Sequence, residues 1–420
     1  MSRDTVEPES PPRPATSLLR DSRPFARLWA AHSISVVGDA LRVITVALWA
    51  YTASGNSTRA VAIVMLAGQV PVIALGPFLG TIADRFSRRP IMVSADLARA
   101  ALSLLTAFGM AAGSLPVVLG AVTLSAGFSV AFSAARSAAI PLAVTPAHLA
   151  RANSLMTTTE QVSYVIGPLA GAALFSTVGF APAMLIDAVS YLASALLLRT
   201  LPAYRPEAGS RAGERTPMLA EIRTGMRALR ASRALVIASV TYLCLAVQAG
   251  ANNTVMIGFL PVNLHRPPSE VAWLSLANGL AQILTASMFI ALAARLRTAA
   301  TLSVAAVVMA VGGWVLAMST GLAVALCAVT VVALANSPFT IAFATLRQTA
   351  VPNAVQGRVS ATLTSLSGIA FLTGAQAAGW LADLRDPRWS LIAAAAVFTV
   401  GTVVGLCGLG RRDFRAAQPP

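Results

Sequence analysis

Runs of about 20 apolar residues recur along the whole chain, and each is close to the length that an α-helix needs to cross the ~30 Å hydrocarbon core of a bilayer. Hydrophobic residues make up 56% of the 420 residues and charged residues only 11%, which leaves too little polar surface for a soluble globule of this size. The pattern therefore predicts an all-α membrane protein. Twelve transmembrane helices are expected at about 28–53, 59–83, 90–112, 115–136, 154–178, 180–199, 234–260, 270–294, 299–319, 321–345, 359–382 and 389–409.

A polar segment after the sixth predicted span divides the chain into two similar halves. Pro146 before the fifth span corresponds to Pro352 before the eleventh, and Gly167 corresponds to Gly374 at nearly the same offset. A constant offset indicates internal duplication, so two pseudo-symmetric six-helix bundles are expected. The predicted parts are a disordered cytoplasmic tail at 1–24, an N-terminal bundle at 25–200, a cytoplasmic linker with an amphipathic helix at 201–233, a C-terminal bundle at 234–410 and a cytoplasmic tail at 411–420.

Arginine is distributed unevenly between the two sides of the predicted bundle. The chain contains no lysine, so all 31 basic residues are arginine and the net charge is +15. When the loops are assigned to alternate sides, the side opposite the N-terminus holds only Arg59, Arg266, Arg385 and Arg388. Arginine is enriched in cytoplasmic loops, which predicts a multi-pass protein of the plasma membrane with both termini in the cytoplasm. Because topology accounts for the charge, no nucleic-acid partner is expected.

The linker carries one amphipathic pattern. Thr216 followed by Pro217 is typical of a helix start. One apolar stripe follows, made of Met218, Leu219, Ile222, Met226 and Leu229. Arginines occupy much of the remaining surface, so the helix is expected to lie on the inner membrane surface.

Several chemistries lack the residues that they need. Without lysine the chain has neither the phosphate-binding lysine of a P-loop nor a Schiff-base amine. The three cysteines and three histidines lie singly in separate stretches. No metal, cofactor or enzyme active site is therefore expected.

The turn after the second span concentrates charge in the segment Gly80-Thr-Ile-Ala-Asp84-Arg85-Phe-Ser-Arg88-Arg89. Gly80 permits close helix approach, and Asp84 can accept hydrogen bonds from a helix N-terminus and from arginines. The segment resembles the signature loop of the major facilitator superfamily, and this resemblance implies a cytoplasmic latch between the halves. The alternative is that the arginines act only as positive-inside anchors.

A second motif, Gly167-Pro168-Leu-Ala-Gly171, lies in the fifth span. It is similar to the glycine-proline motif of facilitators that work as exporters, although Ala172 stands where that pattern has another glycine. Gly167 and Gly171 lie one turn apart on one face and allow a neighbouring helix to approach, while Pro168 removes a backbone hydrogen bond. We assign the three residues to helix packing.

Similarity to this superfamily extends from about residue 25 to about residue 410. It includes Ala135-Arg136-Ser-Ala-Ala-Ile-Pro141, Asp187-Ala-Val-Ser-Tyr191, and Gln348 with Pro352. These segments resemble the branch that includes macrolide efflux proteins and enterobactin exporters.

Ionisable residues at membrane depth are costly unless they are paired or face a cavity, so they are functional candidates. Asp39 lies near the middle of the first span, and Arg42 is one turn further along the same face. Glu160 and Asp187 have no cation nearby in their own stretches and can serve as switchable carboxyls. We assign these four residues to proton coupling or substrate binding and favour Asp39 as the proton carrier. The alternative is a structural pair that ties helices together.

Charge differs between the two halves. Asp96 and Arg99 repeat the spacing of Asp39 and Arg42 nearer the cytoplasmic end of the third span, and we assign them to the latch. The second half offers amides instead, namely Gln248, Asn252, Asn253, Asn278, Gln282, Asn336 and Gln376. An apolar wall with amides suits a largely hydrophobic substrate.

Together these features predict a secondary active transporter that exports small, largely hydrophobic organic molecules, as in drug or antibiotic efflux, by proton antiport and alternating access. The expected partners are a small-molecule substrate, protons and membrane lipid, and a monomer is expected. A dedicated exporter of a siderophore or another host metabolite fits the same residues. A non-transporting membrane signalling or scaffold protein is the alternative from a different class.

Overall fold

The computed structural model describes residues 18–85, 87–145, 148–202, 218–292 and 298–408, without the side chains of 76–85, 150, 218–222, 286–292 and 353–354. All regular elements in these residues are helices. They are α1 (Leu18–Asp21), α2 (Arg23–Ala53), α3 (Thr58–Arg85), α4 (Arg88–Ala111), α5 (Leu115–Ala143), α6 (Leu149–Val178), α7 (Ala181–Arg199), α8 (Met218–Arg230), α9 (Arg233–Asn263), α10 (Val271–Leu292), α11 (Thr298–Ala317), α12 (Leu322–Ala350), α13 (Asn353–Leu384) and α14 (Pro387–Gly408), with a short 3-10 helix at Pro268–Glu270.

Most of the long helices can cross a membrane. Within the described residues, ten helices are long and apolar enough to do so, namely α2–α7, α9, α11, α12 and α14. The predicted all-α membrane architecture is confirmed. The count of twelve spans stays a prediction, because α10 and α13 are not among the ten.

The helices pack as two groups, α2 to α7 and α9 to α14, that meet along a limited set of contacts. Helix α3 contacts α13 and α9, and α6 contacts α10. One apolar cluster joins the groups, with Leu48, Tyr51 and Val61 of the first packed with Val255 and Phe259 of the second. Besides the α3–α13 and α6–α10 contacts, the halves are therefore held together by this apolar cluster at the ends of α2, α3 and α9.

The first helices begin earlier than the sequence predicts. Residues 18–24, which were assigned to a disordered tail, include α1 and the start of α2. Leu18 is buried in the core of the first half. Ser22 caps α2 by accepting a hydrogen bond from the Phe25 amide, and its hydroxyl donates to the Ala143 carbonyl at 2.7 Å. These contacts extend order towards the N-terminus, while residues 1–17 and 411–420 of the predicted tails lie outside the described residues.

Helix α8 packs on the second half of the protein. A Cβ atom added to Gly225 would lie 2.4 Å from Thr362 Oγ1 and 2.7 Å from the Arg358 carbonyl oxygen, so the backbones of α8 and α13 are in close contact. Leu229 is buried in the core of the second half, with Met226 packed beside it. The described end of the apolar stripe is thus covered by protein. This differs from the expectation that the helix lies on the membrane surface through that stripe.

Close approach of α2 and α6 depends on two glycines of the glycine-proline motif. A Cβ atom on Gly167 would lie 2.1 Å from Ala40 Cβ, and one on Gly171 would lie 2.8 Å from the Leu41 carbonyl oxygen. Both distances are far below van der Waals contact, and the Leu41 neighbour is backbone that cannot swing away. Any larger residue would push α6 away from α2, the helix that carries Asp39.

We predict that Gly167→Leu lowers the thermal stability of the detergent-solubilised protein, because overpacking a tight helix contact costs about 1–3 kcal/mol or more. Gly120→Leu is the matched control, since nothing lies within 4 Å of a Cβ atom at that position. The melting midpoint of the control should stay close to that of the unaltered chain. Equal midpoints for both variants would contradict the assigned α2–α6 contact.

Candidate functional site

A cavity of about 530 Å³ lies among α2, α3, α4, α5 and α6 of the first half. Much of its wall is apolar, including Val43, Val46, Val64 and Val72. Its charged or titratable lining residues are His32, Asp39, Arg42, Arg99, Arg136, Glu160 and Tyr164. The cavity thus combines an apolar surface with charges at membrane depth.

Asp39 is held by donors from three helices. Arg42 Nη2, on the same helix, donates to Asp39 Oδ1 at 3.0 Å. Arg99 Nη2 of α4 donates to Asp39 Oδ2 at 2.5 Å. The Tyr191 hydroxyl of α7 also donates to Oδ1 and accepts a hydrogen bond from Arg99 Nη2 at 2.9 Å. Asp39 therefore has two cations and a hydroxyl around its two oxygens.

Arg42 is shared between two carboxylates. Its Nη2 binds Asp39, and its Nε lies 3.2 Å from Asp187 Oδ2. The Arg42 side chain is only 12% exposed, whereas Asp39 is 25% exposed and Asp187 fully buried. Asp39 thus lies on the cavity wall and Asp187 behind it, with Arg42 between them.

Asp187 has fewer donors than Asp39. Its Oδ2 accepts a hydrogen bond from Ser103 Oγ at 2.8 Å, and its Oδ1 has no hydrogen-bond partner among the described residues. A Cβ atom on Gly38 would lie 2.8 Å from that Oδ1, so the α2 backbone is in close contact with the carboxyl. In the described residues, Arg42 is the one cation in an ion pair with Asp187.

Asp96 and Arg99 belong to this same group of charges. Arg99 Nη1 donates to Asp96 Oδ1 at 3.1 Å, and both side chains are almost completely buried. The sequence assigned the two residues to the cytoplasmic latch, but the structure joins Arg99 to Asp39 of another helix. The difference arises because Arg99 spans two neighbours at once, Asp96 on its own helix and Asp39 across the α2–α4 contact.

The buried charge group, which we define as Asp39, Arg42, Asp96, Arg99 and Asp187, contains three carboxylates and two guanidiniums. With all five ionised it carries one surplus negative charge. An uncompensated charge in a low-dielectric interior is costly. The arrangement is thus suited to take up one proton.

Glu160 forms a second group nearer the start of α2. Its Oε1 lies 3.0 Å from His32 Nε2 and accepts a hydrogen bond from Arg136 Nη1 at 2.9 Å. Trp29 Nε1 donates to Thr159 Oγ1 beside it at 2.9 Å. The Glu160 side chain is 32% exposed, so it faces the cavity more openly than the buried charge group does.

Sequence reasoning missed three of these partners. The sequence assigns no site role to His32, Arg136 or Tyr191. Asp187 and Tyr191 are four residues apart and therefore share one face of their helix. That spacing is the sequence signal that could have placed Tyr191 near the predicted carboxyl site. The cation that meets Glu160 comes from another helix, so no local pattern reveals it.

The latch motif is only partly described. Gly80, Asp84 and Arg85 fall in α3, but their side chains lie outside the described residues. Arg88 and Arg89 begin α4 and are partly buried. The latch remains a prediction.

A polar contact joins the two halves at the end of α13 that is far from α8. The Asp383 carboxylate accepts hydrogen bonds from Ser57 Oγ at 2.5 Å and from the Thr58 amide at 2.8 Å, so it caps the N-terminus of α3. The Arg59 guanidinium lies 3.4 Å from the centre of the Trp380 ring. We call the contact of the Asp383 carboxylate with Ser57 and the Thr58 amide the Asp383 cap.

Two packed helical bundles, a cavity at membrane depth and buried ion pairs beside it define a polytopic membrane transporter. The chain belongs to the transmembrane secretion effector family of the major facilitator superfamily, whose family model matches residues 16–415. The resemblance read from the motifs is thereby confirmed. The family consists of transporters and not of enzymes.

Named relatives and a solved structure agree with this membership. The chain is 27% identical to the multidrug efflux pump Tap of Mycobacterium tuberculosis, over 88% of each chain. It is 27% identical to macrolide efflux protein A of Streptococcus pyogenes, over 50% of this chain and 52% of that protein. A crystal structure of the nucleoside transporter NupG (D323A mutant) has the same fold, with a TM-score of 0.78 at 11% identity over 92% of this chain and all of that one.

Proposed function

We propose that the chain exports small, largely hydrophobic organic molecules, as in drug or antibiotic efflux, by proton antiport and alternating access. The observation that carries the proposal is the buried charge group beside the cavity, because its surplus carboxylate provides a place for one proton. The apolar wall of the cavity supports a hydrophobic substrate. The similarity to proteins named as macrolide and multidrug efflux pumps supports the direction of transport.

The orientation belongs to the same proposal. The distribution of arginine supports a plasma-membrane protein with both termini and α8 on the cytoplasmic side. In that orientation the His32–Arg136–Glu160 group lies towards the cytoplasm, and the Asp383 cap lies at the outer surface. The two bundles, 25–200 and 234–410, are the units that move relative to each other.

Arg42 decides which carboxyl can take the proton. If Arg42 leaves the two carboxylates, Asp39 still has Arg99 and the Tyr191 hydroxyl. Asp187 then keeps only the Ser103 hydroxyl in this fully buried position. For a buried carboxylate without a cation, binding a proton costs far less free energy than remaining charged. We therefore shift the role of proton carrier from Asp39, which the sequence favours, to Asp187.

The proposed cycle links this proton to substrate through the cavity wall. Asp39 and Arg42 both line the cavity, whereas Asp187 does not. In antiport substrate and proton bind alternately: a proton on Asp187 replaces Arg42 while the cavity is empty, and a substrate that holds Arg42 against Asp187 expels the proton. Substrate and proton are coupled because both depend on the position of one guanidinium.

Efflux itself is tested first by expressing the chain in a susceptible bacterial host and measuring the accumulation of labelled macrolides and other lipophilic drugs. Accumulation that is lower in the expressing cells and rises again when a proton uncoupler is added supports proton-driven export. Accumulation that is unchanged for every compound would contradict drug efflux.

We predict that Asp187→Asn abolishes export of a macrolide probe against its gradient in proteoliposomes with an imposed proton gradient. Movement of the probe down its gradient should continue, because the cavity wall is intact. Asp386→Asn is the matched control, since it makes the same change in a carboxylate that lies outside the buried charge group and accepts hydrogen bonds within the second half. The control should still export uphill.

Uphill export by Asp187→Asn would overturn its assignment as the proton carrier. If Asp39→Asn alone abolishes uphill export while Asp187→Asn does not, the proton binds at Asp39, as the sequence favours. Loss in the Asp386→Asn control as well would show that the loss does not come from the buried charge group.

Alternating access requires that the contact between halves at one end opens. The Asp383 cap crosses the halves, whereas Asp386, three residues later, accepts hydrogen bonds from Asn263 and from the Arg388 amide within the second half. Both carboxylates accept hydrogen bonds at helix ends, but of the two only Asp383 contacts the other half.

We predict that Asp383→Ala shifts the protein towards the state that is open at this end, by about 1 kcal/mol or roughly fivefold in the population ratio, the usual cost of a lost helix cap. Spin labels at the exposed positions Ala53 and Arg385, in a chain whose three free cysteines are replaced, would report the separation by electron-electron resonance. Asp386→Ala should leave the distance distribution unchanged. An unchanged distribution in both variants would contradict the role of the Asp383 cap.

A further inference from the structure

Helix α8 presents two different faces. Gly225 and Leu229 are buried against the second half, while Arg223, Arg227 and Arg230 are exposed. The three arginines are spaced four and three residues apart, which places them in one row along the helix. We call this row the α8 arginine face.

None of the three arginines forms an ion pair or hydrogen bond within the described part of the chain. The largely buried guanidiniums are used differently, for Arg42, Arg99 and Arg136 each bind a carboxylate. Three cations held at fixed spacing by a well-packed helix repel one another unless an anion lies near them. The exposed row therefore has guanidinium donors available for an anion outside the described part of the chain.

The position of α8 identifies that anion. The helix ends at Arg230, and the membrane-spanning α9 begins at Arg233, so the arginine row lies where a span leaves the bilayer. Phospholipid phosphates are the anions at this level. The apolar stripe cannot bind lipid tails at Leu229, because protein covers it, and this leaves the arginines as the membrane-binding surface.

We propose that the α8 arginine face binds the phosphate groups of anionic phospholipids in the adjacent leaflet. Guanidiniums suit this role because the planar group can donate two parallel hydrogen bonds to two oxygens of one phosphate. The attraction to an anionic surface amounts to roughly fivefold in affinity for each arginine, so three together give on the order of 100-fold.

Binding at this face acts on the second half through α13. Gly225 lies against Thr362 and the Arg358 carbonyl, so α8 and α13 are in backbone contact and are expected to move together. The other end of α13 carries Asp383, which contacts the start of α3 in the first half. Anionic lipid therefore stabilises the protein by fixing a helix that takes part in the contact between halves. This inference does not depend on the substrate or on proton coupling.

The test measures lipid binding without transport. The full chain is purified in a neutral detergent, and its melting midpoint is followed while short-chain phosphatidylglycerol or phosphatidylcholine is added. We expect stabilisation by phosphatidylglycerol at lower concentration than by phosphatidylcholine. Replacing Arg223, Arg227 and Arg230 by glutamine, a good helix former, should raise the half-maximal concentration of phosphatidylglycerol by at least about tenfold.

Two further variants separate the α8 arginine face from overall charge and from misfolding. Replacing the same three residues by lysine keeps the charge and should retain most of the preference. Replacing the exposed Arg20, Arg23 and Arg199 by glutamine makes the same change in net charge elsewhere and should have a much smaller effect. The midpoint of each variant without added lipid shows whether it is folded.

Three results would overturn the proposal. An unchanged half-maximal concentration in the α8 glutamine variant would show that the row does not bind the lipid. Equal losses in both glutamine variants would assign the preference to total charge. Equal stabilisation of the wild type by inorganic phosphate, or by phosphatidylcholine, would point to a free anion or to the lipid tails.

Discussion

Arg42 lies between Asp39 and Asp187, and the charge balance of the buried charge group depends on that shared guanidinium. Three carboxylates and two guanidiniums cannot all be ionised without leaving a buried charge unbalanced. Arg99 and Tyr191 hold Asp39 even without Arg42, whereas Asp187 has no such support. Of the two carboxyls that share Arg42, Asp39 thus has the larger supply of donors, and we propose Asp187 as the site of the proton.

This group also explains why α2 needs small neighbours. Gly38 faces Asp187, and Gly167 and Gly171 of α6 let that helix lie against Ala40 and Leu41, which stand between Asp39 and Arg42 in the chain. A wider α2–α6 spacing would admit water and weaken every ion pair in the group. The small residues at the α2–α6 contact are thus needed both for helix packing and for the ion pairs beside the cavity.

The sequence predicts what depends on local spacing and fails where partners come from distant helices. Hydropathy and arginine placement predict the membrane-spanning helices, and the spacing of Asp39 and Arg42 predicts that they share a face. Arg99 could not be assigned in this way, because its bond to Asp39 crosses between α2 and α4. The same holds for Glu160, whose partner Arg136 lies on α5. For α8, the apolar stripe was recognised, but whether lipid or protein covers it depends on the position of α13.

The central claim is that Asp187 carries the proton of the buried charge group, and infrared difference spectroscopy tests it most directly without a substrate. A protonated carboxylic acid has a carbonyl stretching band that is distinct from the bands of a carboxylate. Spectra of the purified protein in lipid, recorded across a change of pH, should contain a component of such a band that is present in the unaltered chain and in Asp386→Asn and absent from Asp187→Asn. A band that persists unchanged in Asp187→Asn would contradict the claim.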